Sequence, residues 1–283
     1  MNRTLAIARY QALLDLKAVK TYVLLAIAAF LSLSYDYLLP KFASGYFFVY
    51  VRTPSAWMYT TSEIFTTIIT GLMALFVGGM LGTDVMAEEF ENGTISKLFS
   101  LPLHRSDIYL GKLLEKFLLS LLYGMLFIAI SIACAYILSG HQGYFIWSPV
   151  FLLGLTLLLI GFASLGFLLG TFIRQTSFVF GILFGIWVLF TVVYGIVTLK
   201  GGTLYETFAI PFVNMSLIPA AIHAYIIDPN KVLHFSYTAL NSTTKLNVQA
   251  WKFAALIISS SSIEVFFILL AGFIKFRKME LKG

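Results

Sequence analysis

One interval of this apolar chain carries side chains that could do polar chemistry. It reads EEFENGTISKLFSLPLHRSDIYLGK, from Glu88 to Lys112, and lies between two strongly apolar segments. Its chemistry is not that of a phosphate loop. Lys112 does follow Gly111, but Leu113 stands where such a loop has Ser or Thr, and the glycine five positions earlier is missing. We therefore expect this chain not to hydrolyse ATP itself. The charged side chains of the interval are instead expected to make polar contacts with other parts of the protein or with a partner.

A second candidate is an acid inside an apolar segment. Glu264 follows four consecutive serines at 259–262, and Ser260 lies one helical turn before it on the same helix face. An ionisable group at membrane depth is a functional-site hypothesis by default. Two interpretations stay open at this point. The pair either lines a transport pathway for a cationic or polar substrate, or holds a protonated carboxyl group that serves packing.

Metal and catalytic sites have little support in the sequence. The histidines are scattered without metal-ligand spacing: His104, His141, His223 and His234. The His-Glu-x-x-His pattern of zinc proteases is missing. The pair Glu88–Glu89 lacks the arginine that a glutamate-dependent membrane protease would need. We expect no metal and no cofactor in this chain, and an intramembrane enzyme stays a minor alternative.

The elements that position these residues follow from composition. The chain has 283 residues, of which 59% are hydrophobic and 11% charged, and its mean hydropathy is +0.90. Runs of about 20 apolar residues, the length that crosses a bilayer as a helix, recur along it. We predict an all-α polytopic membrane protein with six spans, at about 21–39, 64–82, 113–139, 149–173, 177–199 and 253–274.

Charge placement predicts the orientation of these spans. With six spans, 13 of the 19 lysines and arginines fall on the side of the termini and the charged interval. The positive-inside rule then places that side in the cytoplasm of a multi-pass cell-membrane protein. The net charge of +6 is explained by orientation and by contact with anionic headgroups, so no nucleic-acid partner is implied.

The same reading divides the chain into segments. Residues 1–20 are predicted to form a cytoplasmic interfacial helix, and 21–283 a permease domain with a cytoplasmic loop at 83–112. An external loop spans 200–251. Within it, 208–227 is long enough to cross the membrane, but it carries prolines and a crossing would move the basic C-terminus outside. A re-entrant or interfacial hairpin is therefore predicted there.

Small residues predict close helix packing. GGMLG at 78–82, GFLLG at 166–170 and GILFG at 181–185 each contain Gly-x-x-x-Gly. In membrane helices this spacing lets two backbones approach closely. The motifs indicate a compact bundle rather than a particular dimer face.

The charged interval has its own local structure. Gly93 and Thr94 open a short helical stretch, with Thr94 as its amino-terminal cap, and Pro102 ends it. Its apolar face consists of Ile95, Leu98 and Phe99. An apolar face on a cytoplasmic loop predicts a protein partner.

This interval resembles the signature of ATP-binding-cassette (ABC) type-2 transporter permeases. That signature has an acidic pair, Glu-x-Gly-Thr, a hydrophobic helix, Ser-x-Pro, an arginine and a Gly-Lys that enters the third span. The matching residues are Glu88, Glu91, Gly93, Thr94, Leu98, Ser100, Pro102, Arg105, Gly111 and Lys112. Asn92 and Leu101 depart slightly from it.

The resemblance implies a permease subunit that pairs with a second permease, as a homodimer or heterodimer, and with two copies of an ATPase subunit. ATP and Mg²⁺ would bind in that ATPase. The short helix would be the coupling helix, and the transport would be export. The implied coupling residues are Glu88, Glu91, Gly93, Thr94, Ile95, Leu98, Phe99, Pro102, Arg105 and Lys112. A non-transporting sensor or assembly subunit on the same fold stays open as an alternative.

Overall fold

The structure is a computed structural model that describes residues 3–33, 71–95, 104–139, 148–199, 230, 232–239 and 242–278. Within these ranges the chain forms helices and one two-stranded hairpin. The helices are α1 (Arg3–Lys17), α2 (Val19–Leu33), α3 (Gly71–Glu91), α4 (Arg105–Ser139), α5 (Ser148–Phe172), α6 (Thr176–Leu199) and α7 (Ala250–Arg277). The strands are β1 (Val232–Ala239) and β2 (Ser242–Gln249).

The described helices confirm a polytopic helical membrane protein. Five of them are long and apolar enough to span a membrane, or six if the bent pair α1–α2 counts as one span. Two helices extend beyond the predicted spans on the side of the charged interval. α3 continues to Glu91, and α4 begins at Arg105, because the charged residues that ended the apolar windows lie in helices and pair with one another.

A sharp corner separates α1 from α2. The two helices meet at an angle of 73° around Ala18. The hydroxyl of Thr21 donates to the backbone carbonyl of Asp15 across this corner, and the amide of Thr21 donates to the carbonyl of Ala18 at 3.1 Å. At 15 residues, α1 is about 22 Å long, too short to cross a bilayer alone. Its interfacial position stays a prediction.

The core of the bundle lies between α3 and α5. Both helices are mostly buried, whereas α6 and α7 lie at the periphery. A Cβ atom on Gly78 would lie 2.5 Å from the carbonyl oxygen of Leu159, and one on Gly166 would lie 2.9 Å from that of Gly79. The close packing predicted from the first two glycine motifs is therefore confirmed. α3 is π-helical over Ala74–Gly79, within this contact.

The third glycine motif does not bring two described helices into close contact. A Cβ atom on Gly181 or Gly185 of α6 would meet no described atom within 4 Å. The motif therefore lies on an open face of the described bundle, which is consistent with the peripheral position of α6.

The hairpin is an element that the sequence reading did not anticipate. β1 and β2 pair in antiparallel register from Val232 opposite Gln249 to Ala239 opposite Ser242, and α7 begins directly after β2. The predicted external loop thus contains ordered strands before the last helix. The predicted re-entrant hairpin at 208–227 lies outside the described residues.

Candidate functional site

The described parts of the charged interval form the end of α3 and the beginning of α4. Glu88 and Glu91 lie in the last turn of α3, and Arg105 and Lys112 lie in the first two turns of α4. Leu98, Phe99 and Pro102, and so the predicted coupling helix itself, lie outside the described residues. What can be described is how the two ends of this loop are held. We call this side of the molecule the charged end.

The chain after α3 turns sharply at a glycine. Gly93 has a φ of +67°, a left-handed conformation that glycine adopts without a steric penalty. The amide and hydroxyl of Thr94 both donate to the carbonyl oxygen of Glu89, at 3.0 and 3.3 Å. Thr94 therefore closes the end of α3. The chain is helical again at Ile95, so the role of Thr94 in opening the next helix stays a prediction.

Ile95 does not lie on an exposed apolar face, contrary to expectation. Its side chain is 5% exposed and packs in a small apolar cluster with Ile108 and Tyr109 of α4. Burial inside the bundle removes Ile95 from the surface that a partner could reach. The predicted apolar face then depends on Leu98 and Phe99.

Glu88 joins α3 to the start of α2. Its carboxylate accepts a hydrogen bond from the Lys20 ammonium at 2.6 Å, and the same ammonium lies 3.3 Å from the carboxylate of Asp84. Asp84 and Glu88 are one helical turn apart, so both acids face α2. Lys20 therefore forms ion pairs with both acids.

Lys112 is a buried link between α3 and α4. Its side chain is 1% exposed; its ammonium donates to the carbonyl oxygen of Val85 at 3.0 Å and forms an ion pair with Glu89. A buried ammonium needs such partners, because its desolvation is otherwise costly. Lys112 thus acts inside the bundle, and any effect on a partner would pass through α3.

A second buried pair joins α1 to α4. The Lys116 ammonium lies 2.6 Å from the carboxylate of Asp15 and 3.1 Å from that of its neighbour Glu115, which is 0% exposed. Burial would raise the pKa of Asp15, but the ammonium groups of Lys116 and Lys20 together with hydrogen bonding outweigh this effect and hold that pKa below its usual value.

The sequence analysis did not identify Asp15, Glu115 or Lys116 as site residues. A signal was present, since Lys112, Glu115 and Lys116 follow one another at helical spacing at the start of an apolar segment. Charges in such a segment require partners. No local pattern identifies Asp15 as the partner, because it lies 101 residues away in the chain.

The beginning of α4 is also fastened to the end of α7. Arg105 donates from Nη1 to the carbonyl oxygen of Arg277 at 2.9 Å, and the Tyr109 hydroxyl donates to that of Leu269 at 2.7 Å. The Tyr109 ring packs edge-on against Phe167 and Phe273. Arg105 and Tyr109 are four residues apart, so one face of α4 makes both contacts.

Glu91 connects α3 with α6. Its carboxylate accepts hydrogen bonds from the hydroxyl and amide of Thr176, at 2.8 and 3.3 Å, and so caps the amino terminus of α6 from another helix. The Arg174 guanidinium lies 5.1 Å from the centre of the Phe90 ring beside it. The end of α3 therefore contacts the α5–α6 connection as well as α2 and α4.

Ser260 and Glu264 lie apart from this charged end. Both are partly buried on α7, and the Ser260 hydroxyl donates to the carbonyl of Ile257 at 3.0 Å. Glu264 precedes Arg277 by 13 residues, about 20 Å along a helix. α7 is the element that connects the two regions. Among the described residues, no group of His, Cys, Asp and Glu is arranged to hold a metal ion.

A family model described as "ABC-2 family transporter protein" matches residues 6–281. The chain belongs to this family. It is therefore a membrane permease component of an ABC transporter: a multi-pass transport subunit that works with an ABC ATPase and is not itself catalytic. No curated protein matches the sequence at a significant level. The ion pairs of the charged end are thus features of an ABC-2 permease, at the ends of the loop whose sequence resembles the family signature.

Proposed function

We propose that this ABC-2 permease couples ATP binding and hydrolysis in a separate ATPase subunit to export of a substrate. Two permeases, identical or different, would assemble with two ATPase copies that bind ATP and Mg²⁺. The segment containing Leu98, Phe99 and Pro102 would be the coupling helix, on the cytoplasmic side. The family supports the ATPase partnership; the arrangement of the loop ends supports the coupling role.

The main support for this proposal is that both ends of the loop between α3 and α4 form side-chain contacts with other helices. On the α3 side, Glu88 bonds to Lys20, and Glu91 bonds to Thr176. On the α4 side, Arg105 bonds to the carbonyl of Arg277. A loop that needed only to be solvated would not require contacts to α2, α6 and α7.

These contacts suggest how movement would spread. A displacement of the loop would reach α2 through Glu88, α6 through Glu91 and α7 through Arg105 and Tyr109. The buried Lys112–Glu89 pair would make α3 and α4 move together. Nucleotide state in the ATPase would then shift the population between two arrangements of the bundle.

The assembly is tested by pull-down of the tagged protein from native membranes in mild detergent, with mass spectrometry of the retained chains. We expect a stoichiometric ATPase that is lost when Leu98 and Phe99 are both changed to Asp. The matched control, Lys97→Asp with Ser100→Asp, adds acids to the same segment but keeps its apolar residues. Recovery of the chain without an ATPase, while a known cassette transporter stays intact, would contradict the proposal.

The transport pathway is proposed to include Ser260 and Glu264 of α7. Glu264→Gln keeps the size of the side chain, so we expect the complex to assemble and hydrolyse ATP but not to transport. A substrate for this assay would come from a screen for stimulated ATPase activity in proteoliposomes. Ser262→Ala is the control, since the exposed Ser262 hydroxyl donates within α7 to the carbonyl of Ile258. Normal transport by Glu264→Gln would exclude the pathway role.

A further inference from the structure

The contact of α1 with α4 contains more acids than bases. Lys116 lies within ion-pair distance of both Asp15 and Glu115, and Lys20 lies within that distance of both Asp84 and Glu88. The nearby Lys112–Glu89 pair is balanced. If every group is ionised, this cluster of four helix ends holds two more negative than positive charges.

Glu115 is the most deeply buried acid of this cluster, at 0% exposed. The Lys116 ammonium lies 3.2 Å from its Oε1 atom and 3.1 Å from its Oε2 atom, and the same ammonium bonds Asp15 at 2.6 Å. One ammonium therefore balances the charge of only one of these two buried acids. An ionised carboxylate so placed would be strongly disfavoured, whereas a protonated one would not.

The carboxyl groups of Asp15 and Glu115 thus lie on the same ammonium, at 2.6 and 3.1 Å. Two carboxylates in one buried site cannot both ionise freely, and a proton between them converts repulsion into a hydrogen bond. We propose that Asp15 and Glu115 form a carboxyl pair that binds one proton at neutral pH and thereby keeps α1 docked on α4. The proton belongs to the pair, which titrates as a unit.

The surrounding charges favour retention of this proton. Asp84 and Glu88 of α3 add negative potential and share Lys20 of α2 between them, so they leave little positive charge for the pair. Loss of the proton would place two carboxylates against Lys116, whose Asp15 contact is the buried ion pair between α1 and α4. The docking of α1 is therefore expected to weaken as pH rises. This inference depends on the fold and not on the transport function.

Infrared spectroscopy tests the proton directly. The wild-type protein in lipid nanodiscs in D₂O should show a protonated-carboxyl band at neutral pH, part of which is lost in Glu115→Gln. Glu91→Gln is the control, because Glu91 lies at the same end of the bundle with an exposed carboxylate. A band that is the same in wild type and in Glu115→Gln would mean that both carboxyl groups are ionised, and would overturn the proposal.

Hydrogen–deuterium exchange tests the docking of α1. Wild type and Glu115→Gln are compared at the same pH, so the chemical exchange rate cancels. A neutral Gln imitates the protonated acid. Stability that depends on a bound proton is present below the titration of the pair and is lost as pH rises through it. Between the pH at which the undocked carboxyl groups titrate and the pH at which the docked pair titrates, the exchange of α1 in wild type relative to Glu115→Gln should rise roughly tenfold for each pH unit. Above the titration of the docked pair this ratio should stay constant, while α5 should not differ. Equal exchange of α1 at every pH would overturn the proposal.

Discussion

The contact between α3 and α5 is made by backbone, whereas the contact between α1 and α4 includes buried charges. At Gly78 and Gly166 the two central helices approach so closely that no Cβ would fit without displacement. Between α1 and α4, Ile7 packs on Gly111, and Asp15 pairs with Lys116. Both contacts are buried, but their chemistry differs.

The difference separates a fixed contact from an adjustable one. Close packing between glycines has no group whose charge can change, and its van der Waals contacts are lost as soon as the helices separate. A buried ion pair has a strength that depends on the protonation of each partner. We therefore expect the α3–α5 contact to be the rigid centre of the permease and the α1–α4 contact to respond to conditions.

The largest expected effect is at Lys116. Lys116→Met keeps the length of the side chain but leaves Asp15 and Glu115 buried without the ammonium that bonds them. Removing one partner of a buried pair typically costs about 3–5 kcal/mol. Unfolding of the purified protein in detergent micelles, followed by circular dichroism, would measure the loss.

Lys17→Met is the matched control for this change, because Lys17 is exposed near the end of the same α1 helix. Its effect on the free energy of unfolding should be small. Equal effects of the two substitutions would show that the buried pair does not stabilise the α1–α4 contact, and the contrast with α3–α5 would fail.

The second prediction concerns the rigid contact. In Gly82→Ala the new methyl group would overlap the carbonyl oxygen of Ala163, and backbone cannot move aside as a flexible side chain can. We expect a loss of about 1–3 kcal/mol, the usual cost of overpacking. Gly181→Ala, from the open motif on α6, should be neutral or slightly stabilising, since Ala favours helix over Gly. If both variants unfold alike, the close approach of α3 and α5 does not limit stability.

The sequence predicted close packing at the glycines of the rigid contact, but it did not predict the adjustable contact between α1 and α4. Apolar length predicted the spans, and the glycine spacing predicted close packing of the kind observed at Gly78 and Gly166. Both signals are local, because each depends on neighbouring residues of one helix. The predicted spans stopped short of Asp84 and Lys112, because a charged side chain is not expected to face lipid and a single sequence does not show that another helix supplies its partner.

The candidate site was predicted in part for the same reason. Glu88, Glu91 and Arg105 were selected through the family signature, but their partners Lys20, Thr176 and Arg277 were not. Such pairings are set by how helices pack, and a single sequence carries no trace of them. The strands β1 and β2 were missed for another reason: their β-branched and aromatic residues are a strand signal, but the segment was read only as a polar loop.

Tyr109→Phe gives the smallest expected effect and tests a contact intermediate between the two. The ring, which packs 4.7 Å from Phe167 between centroids, is retained, and only the hydroxyl that donates to the carbonyl oxygen of Leu269 is removed. A neutral hydrogen bond contributes about 0.5–1.5 kcal/mol, so the loss should be well below that of Lys116→Met. Tyr136→Phe is the control, because Tyr136 is 58% exposed on the same helix. A loss as large as that of Lys116→Met would show that the α4–α7 contact at Tyr109 depends on the hydroxyl bond rather than on aromatic packing. The path from the loop to Glu264 would then depend on a single hydrogen bond at this point rather than on the packing of the rings.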